Sequence, residues 1–167
     1  RVCCGKGAGG GGGVLGWGAA GAAGQGAGGA GRGGMGNSSP EHVLIHDAAR
    51  PFISHKLIDR VLGGLKKAHG VIPAIPVSDT LKKVTLGEVT ATVDRTGLVA
   101  AQTPQGFSYS AIFEAHARAV SEGFTDFTDD SALAEWAGIS VQTTLGENTN
   151  RKITTAEDFA EAHWRAL

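Results

Sequence analysis

The chain carries no large excess of charge of either sign: its formal net charge is −1. General binding to nucleic acid or to an anionic membrane surface has no electrostatic basis in that balance. Cysteine is nearly absent. The two that occur, Cys3 and Cys4, are neighbours, which excludes a disulfide framework, and no C-x-x-C spacing suggests zinc. No apolar run approaches the roughly 20 residues of a membrane span, and the start shows no charged-then-apolar signal pattern. The expectation is a soluble cytoplasmic protein. At 167 residues, it is one domain able to bury a core without staples.

Glycine is abundant instead, and unevenly so. Residues 1–36 hold 18 of the 27 glycines. Gly5, Gly7 and Gly10 match G-x-G-x-x-G, with Lys6 alongside. A phosphate loop of that kind needs a strand before it, a helix after it and an acid about 20 residues on. "RVCC" is a poor strand, more glycines stand where a helix should begin, and the first acid is Glu41. The spacing is therefore read as chance. Residues 1–40 are expected to be a disordered or aberrant segment, such as GC-rich DNA read in a shifted frame.

From Glu41 the composition is that of an ordinary globular domain. "HVLIHD" reads as a buried strand. Ser54 is a plausible N-cap for a helix to about Ala68, with Leu57, Ile58, Val61, Leu62 and Leu65 at helical period and Gly70 as its stop. "VIPAIPV" suggests a strand with an edge or interrupted partner, because proline cannot donate ladder bonds. "DTLKKVTLGEVTATVDR" suggests a hairpin. "GLVAAQTPQGF" looks like a loop. Helices follow at about Ser110–Ser121, with Ile112, Phe113, His116 and Val120 on one side, and at Asp129–Ala137. "GISVQTTL" is a strand, and Thr155 with Asp158 opens a last helix through a capping box. The fold class is α/β, with a mainly parallel sheet between helices.

Asp47 ends the first strand, where an acid holds Mg²⁺ or a substrate hydroxyl, or simply makes a local turn bond. Arg50, three residues on, suits a phosphate or a surface pair with Asp47. Taken alone, Arg95 reads as a solvated charge, Thr103 as a turn residue, "FTDD" as a helix start and Lys152 as a strand lysine within reach of a phosphate. His46 reads as a hydrogen-bonded core residue.

Together, "VLIHDAARPF", "PVSDTLKKV", "TVDRTGL", "AQTPQGF", "FTDD" and "KITTAEDFA" resemble, in order and spacing, the 2-C-methyl-D-erythritol 4-phosphate cytidylyltransferases. The resemblance covers Glu41–Leu167. It implies a Rossmann-like nucleotidyltransferase fold, here incomplete, with a β-arm at about Thr80–Thr103 that grips a second subunit in a homodimer. It implies transfer of CMP from CTP to the sugar phosphate, with Mg²⁺ assisting. Carried across, Asp47, Arg50 and Lys152 take the catalytic positions, and Asp47 lies near the metal. Ala48 contacts the cytidine, and Thr80, Arg95, Thr103 and Thr128 contact the sugar-phosphate substrate. "HDAARP" is shared with ribitol-phosphate cytidylyltransferases, which stay open as an alternative, as does an inactive fragment that keeps only the arm. The family's CTP-holding segments, L-A-A-G-x-G-x-R, P-K-Q-Y and G-G-x-x-R-x-x-S-V, are not found in the sequence.

Overall fold

The computed structural model describes residues 2–5, 40–124 and 126–165. Along the chain lie β1 (Val2–Gly5), β2 (His42–Asp47), α1 (His55–Leu65), β3 (Gly70–Pro76), β4 (Leu81–Thr85), β5 (Glu88–Val93), β6 (Val99–Ala101), β7 (Gln105–Ser108), α2 (Tyr109–Ser121), α3 (Asp130–Trp136), β8 (Val141–Leu145) and α4 (Ala156–Arg165). Among the described residues, no helix is long and apolar enough to cross a membrane.

A six-stranded sheet forms the centre. β1 runs parallel to β2, and β8 parallel to β3. β7 lies between β2 and β3, antiparallel to both. The sheet is thus mixed rather than mainly parallel. Two sequence expectations fail here. "RVCC" does supply a strand, Val2–Gly5, which borrows its ladder bonds from β2. "GLVAAQTPQGF", read as a loop, supplies β6 and β7. Its buried Gln102 and Gln105 made it look solvated, yet both are only 3% exposed because their amides are fully used inside the fold. The Gly5–Gly10 spacing lies, beyond Gly5, outside the described residues, as does most of the 1–40 segment.

β3 shows how its prolines were accommodated. Its pairing shifts from Val71 opposite Gly106 in β7 to Ala74 opposite Ala101 in β6, so residues 102–105 intervene where β3 has only residues 72 and 73. Pro73 sits at this break, where it can offer no N–H, and its carbonyl accepts from Gln102 N–H at 2.7 Å. The interrupted partner predicted from sequence is present, on a strand paired along both edges.

Helices cover both faces. α1 starts at the Ser54 cap, whose hydroxyl accepts the Leu57 N–H at 3.0 Å. It buries Leu57, Val61 and Leu65 and ends at Leu65, one turn before Ala68. Gly70 is the first residue of β3, not the helix stop. Val61 and Leu65 pack with Leu44 and Val71. Alternation along β2 sends Val43 to the other face, where it packs with Phe107, Ile112, Ala115, Leu133 and Ala134 under α2 and α3. On α2 the buried stripe is Ile112, Ala115, His116 and Ala119. Phe113 and Val120, expected on that side, are 40% and 42% exposed. The small residues Ala115 and Ala119 let α2 lie close to the sheet, while Phe113 and Val120 turn outward.

The hairpin is confirmed. β4 and β5 form a separate two-stranded sheet joined by Leu86 and Gly87, both at positive φ (51° and 85°). That is the backbone of a two-residue type I′ turn, which matches strand twist. Thr155 and Asp158 make the reciprocal capping box expected of α4, at 3.1 and 3.0 Å.

Candidate functional site

β1, β2, β3 and β8 all point their carboxyl ends the same way, and in open α/β sheets ligands bind beyond those ends. Three segments converge there: the turn 47–50 after β2, the break 102–104 between β6 and β7, and the stretch 146–153 after β8.

The first segment is a double turn. Arg50 N–H donates to the Asp47 carbonyl at 2.9 Å, and Ala49 N–H to Asp47 Oδ1 at 3.1 Å. The local turn bond considered from sequence is therefore made. The other carboxylate oxygen is engaged as well: Lys152 Nζ lies 2.8 Å from Asp47 Oδ2. Burial pushes the Asp47 carboxyl up. The hydrogen bond from Lys152, the Ala49 N–H and the charges of Lys152 and Arg50 outweigh it, and together they hold the group below its ordinary value.

Among the described residues, the Arg50 guanidinium makes no hydrogen bond to the Asp47 carboxylate. Its Nη1 donates to the Asn150 carbonyl at 2.7 Å, which ties the first segment to the third. Burial lowers its pKa, and the Asp47 charge opposes that shift. Ile153 N–H adds a second tie, to the Ala49 carbonyl at 2.8 Å.

Two residues that the sequence reading passed over hold this arrangement together. Asn150 is wholly buried and donates from Nδ2 to the Thr103 carbonyl at 2.7 Å. The Gln102 amide bonds both backbone groups of Glu147: Nε2 donates to its carbonyl at 2.9 Å, and Oε1 accepts its N–H at 3.0 Å. No spacing rule marks either residue. An amide in a polar stretch reads as a loop until its partners, some 45 residues away, are known. Glu147 also accepts from Ser54 at 2.8 Å and pairs with Arg60 at 2.7 Å, so the segment is pinned to α1.

His46 is the hydrogen-bonded core residue expected, at 6% exposure. Its ring contacts the Thr103 hydroxyl through Nδ1 and the Arg50 carbonyl through Nε2, both at 2.9 Å. Thr103 Oγ1 also accepts the Asp47 N–H at 3.0 Å.

The fold thus brings together Asp47, Arg50, Thr103 and Lys152, with Ala48 exposed in the same turn. The other expected residues stand apart. Thr80 and Arg95 lie at the base of the hairpin, where Arg95 Nη1 donates to the carbonyls of Val77 and Ser78. Thr128 is exposed, just before the Asp129 cap of α3. Among the described residues, no hydrogen bond or ion pair joins these three to Asp47, Arg50 or Lys152.

The described residues contain no group of three or more His, Cys, Asp or Glu able to hold a metal. The donor set fits Mg²⁺ in one way: a single carboxylate, Asp47, with phosphates and water completing the shell. An open groove of about 340 Å³ lies at the opposite end of the sheet, lined by Glu41, His42, Lys66, Lys67, His69 and Ser108. Its lysines are solvent-exposed, and the converging turns are elsewhere, so volume is a poorer guide here than geometry.

Comparison with known proteins shows the family. Residues 34–165 match the family model of IspD, 2-C-methyl-D-erythritol 4-phosphate cytidylyltransferase. The chain is 54% identical over 127 residues to a bifunctional enzyme IspD/IspF of Chelativorans sp., covering 75% of this chain and 31% of that protein. It is 51% identical to the corresponding enzyme of Bradyrhizobium sp., covering 75% of this chain and 32% of the relative. It spans about a third of the length of these curated relatives. Among solved structures, the 2-C-methyl-D-erythritol 4-phosphate cytidylyltransferase of Thermus thermophilus superposes with a TM-score of 0.73 at 37% identity, covering 77% of this chain and 63% of that one. The bifunctional IspDF of Campylobacter jejuni gives 0.62 at 30% identity, covering 74% and 31%.

Proposed function

The chain belongs to the 2-C-methyl-D-erythritol 4-phosphate cytidylyltransferase family, and from that premise we propose that its site transfers CMP from CTP to 2-C-methyl-D-erythritol 4-phosphate and releases pyrophosphate. The sugar-phosphate oxygen attacks the α-phosphorus of CTP in line. Such a displacement needs little proton chemistry and much positioning and charge neutralisation.

The observation that carries the reading is the Asp47–Lys152 pair, 2.8 Å apart at the carboxyl ends of the sheet. Each group is half of a phosphoryl-transfer centre. The lysine is a mobile cation, half-exposed and able to exchange Asp47 for a phosphate oxygen. The acid it leaves would hold Mg²⁺, whose chemistry there is neutralisation of phosphate charge. Arg50 keeps the turn in register with the Asn150 segment and places its charge near Asp47. Ala48, exposed in the turn, is the proposed neighbour of the cytidine.

Thr80, Arg95 and Thr128 are proposed acceptor contacts. The first two sit on an arm that rises from the sheet, and a second copy would bring them over a neighbouring Asp47. Two features support a homodimer. A lone two-stranded hairpin is marginal in water, and this one exposes Val84 by 55%, Leu86 fully and Val89 by 63%. Incubation with CTP, Mg²⁺ and either methylerythritol phosphate or ribitol 5-phosphate tests the reading: the first is the proposed acceptor, and preference for the second contradicts it.

A further inference from the structure

Lys152 reaches Asp47 from a segment, 146–153, that belongs to no helix or strand. A lysine stem is long and flexible, so the place of its ammonium depends on where the backbone beneath it is held. That backbone is tied on either side of Lys152. After it, Ile153 N–H donates to the Ala49 carbonyl at 2.8 Å. Before it stands Asn150, which is 0% exposed.

Asn150 is bonded to every piece of chain that meets there. Its N–H donates to the Glu147 carbonyl at 3.0 Å and closes the turn 147–150. Its carbonyl accepts from Arg50 Nη1 at 2.7 Å, and Gln102 Nε2 approaches the same oxygen at 3.4 Å. Its side chain donates from Nδ2 to the Thr103 carbonyl at 2.7 Å. A carbonyl can only accept, so the orientation of the amide is set. Asn150 Oδ1 is buried with no hydrogen-bond partner among the described residues, so the side chain is held through Nδ2 alone. That one bond anchors the segment to the break between β6 and β7, which Gln102 N–H in turn ties to the Pro73 carbonyl of β3.

We propose that Asn150 is a positioning residue for Lys152: the bond from its Nδ2 to the Thr103 carbonyl holds the backbone from which the lysine reaches Asp47. Its effect on transfer rests on the reading of the site given above, whereas its effect on the Lys152–Asp47 pair does not. Asn150→Leu keeps a branched side chain of similar shape and loses the donor. Asn150→Ala removes the group outright. Neither variant adds a charge that could compete for Lys152.

Nitrogen-15 NMR of the lysine ammonium groups in the full chain, cold and at about pH 6 where lysine is charged, reads the pair directly. The Lys152 signal is identified by its loss in Lys152→Ala, and Asp47→Asn supplies the signal of an unpaired Lys152. Asn150→Leu, or Asn150→Ala if the leucine variant does not fold, is expected to move Lys152 to the unpaired position. A signal that stays at its wild-type position in either folded variant overturns the proposal, whether or not the chain turns over. The wild type supplies a check that needs no variant: the Asn150 side-chain amide should exchange with deuterium far more slowly than a free asparagine, and exchange at the free rate overturns the proposal. Kinetics gives the second test. Either variant should lower kcat about tenfold, the worth of one hydrogen bond, but only about twofold or less when Lys152→Ala is already present, because both act through one group. A loss of about tenfold in both backgrounds makes Asn150 merely structural and overturns the proposal. A wild-type chain with no turnover refutes the transfer reading and leaves the NMR result to decide the role of Asn150.

Discussion

Lys152 Nζ stands 2.8 Å from Asp47 Oδ2, across 105 residues of sequence. The pair closes the turn after β2 against the segment after β8. Removal of the cation should cost catalysis more than folding, because Lys152 is half-exposed and the two segments are also joined through Arg50 and Ile153. Lys152→Ala is expected to lower kcat roughly 10²–10³-fold, the scale of losing one charge-stabilising group, with little change in the thermal midpoint. An equal loss of both would make the pair structural.

The Arg95 guanidinium donates to backbone carbonyls of its own chain, those of Val77 and Ser78. In the proposed dimer it turns to the acceptor's phosphate. Arg95→Ala should therefore raise KM for methylerythritol phosphate by about tenfold or more while the KM for CTP barely moves, as befits a lost charge-assisted contact. Equal changes in both constants would remove the arm-contact role.

Val84 and Val89 face each other across the hairpin and are both exposed. In the proposed dimer this apolar pair is covered by the second copy. The chain is expected to sediment as a dimer, and Val84→Asp with Val89→Asp as a monomer. A wild-type monomer with full activity would contradict the shared site.

Glu147 carries a stability effect with a defined sign. The Arg60 hydrogen bond, opposed by burial and aided by Ser54 and by the charges of Arg60 and Lys56, holds its carboxyl below the ordinary value. A folded-state pKa below the unfolded one stabilises at high pH. That contribution is complete above about pH 4.3, the unfolded glutamate value, and is lost as pH falls through the lower folded value. Glu147→Gln should flatten the acid limb of a stability–pH curve in that window. An unchanged slope would mean that the pair is fully screened by solvent.

Gly106 lies directly beneath α1. A Cβ there would stand 2.5 Å from Val61 Cγ1 and 3.0 Å from Leu65 Cδ1, both in the packed core. Gly106→Ala should destabilise by roughly 1–3 kcal/mol in denaturant titration, the usual cost of overpacking. A neutral result would show that α1 can lift from the sheet.

Elements that announce themselves locally were legible in the sequence: the Ser54 cap and the apolar period after it, the Gly87 turn, and the Thr155–Asp158 box. Strands that exist only through distant partners were not. β1 depends on β2 for its pairing. β6 and β7 hide behind Pro104 and behind Gln102 and Gln105, whose polar groups bond residues 73, 129, 131 and 147. The same physics divides the site. Asp47 and Arg50 were visible because a strand end and a following proline mark them. Asn150 and the His46–Thr103 bond were not, because their meaning lies in contacts across 47 and 57 residues. Lys152 was seen only as a lysine near a strand until the fold set it on Asp47.

The central claim is that this site moves CMP to methylerythritol phosphate, and phosphorus-31 NMR of the full chain with CTP, Mg²⁺ and that acceptor measures it directly. The account predicts growth of pyrophosphate and of a new diphosphate-linked pair of resonances, at a rate that falls with Lys152→Ala. CTP that stays intact, or that is consumed faster with ribitol 5-phosphate, would contradict it.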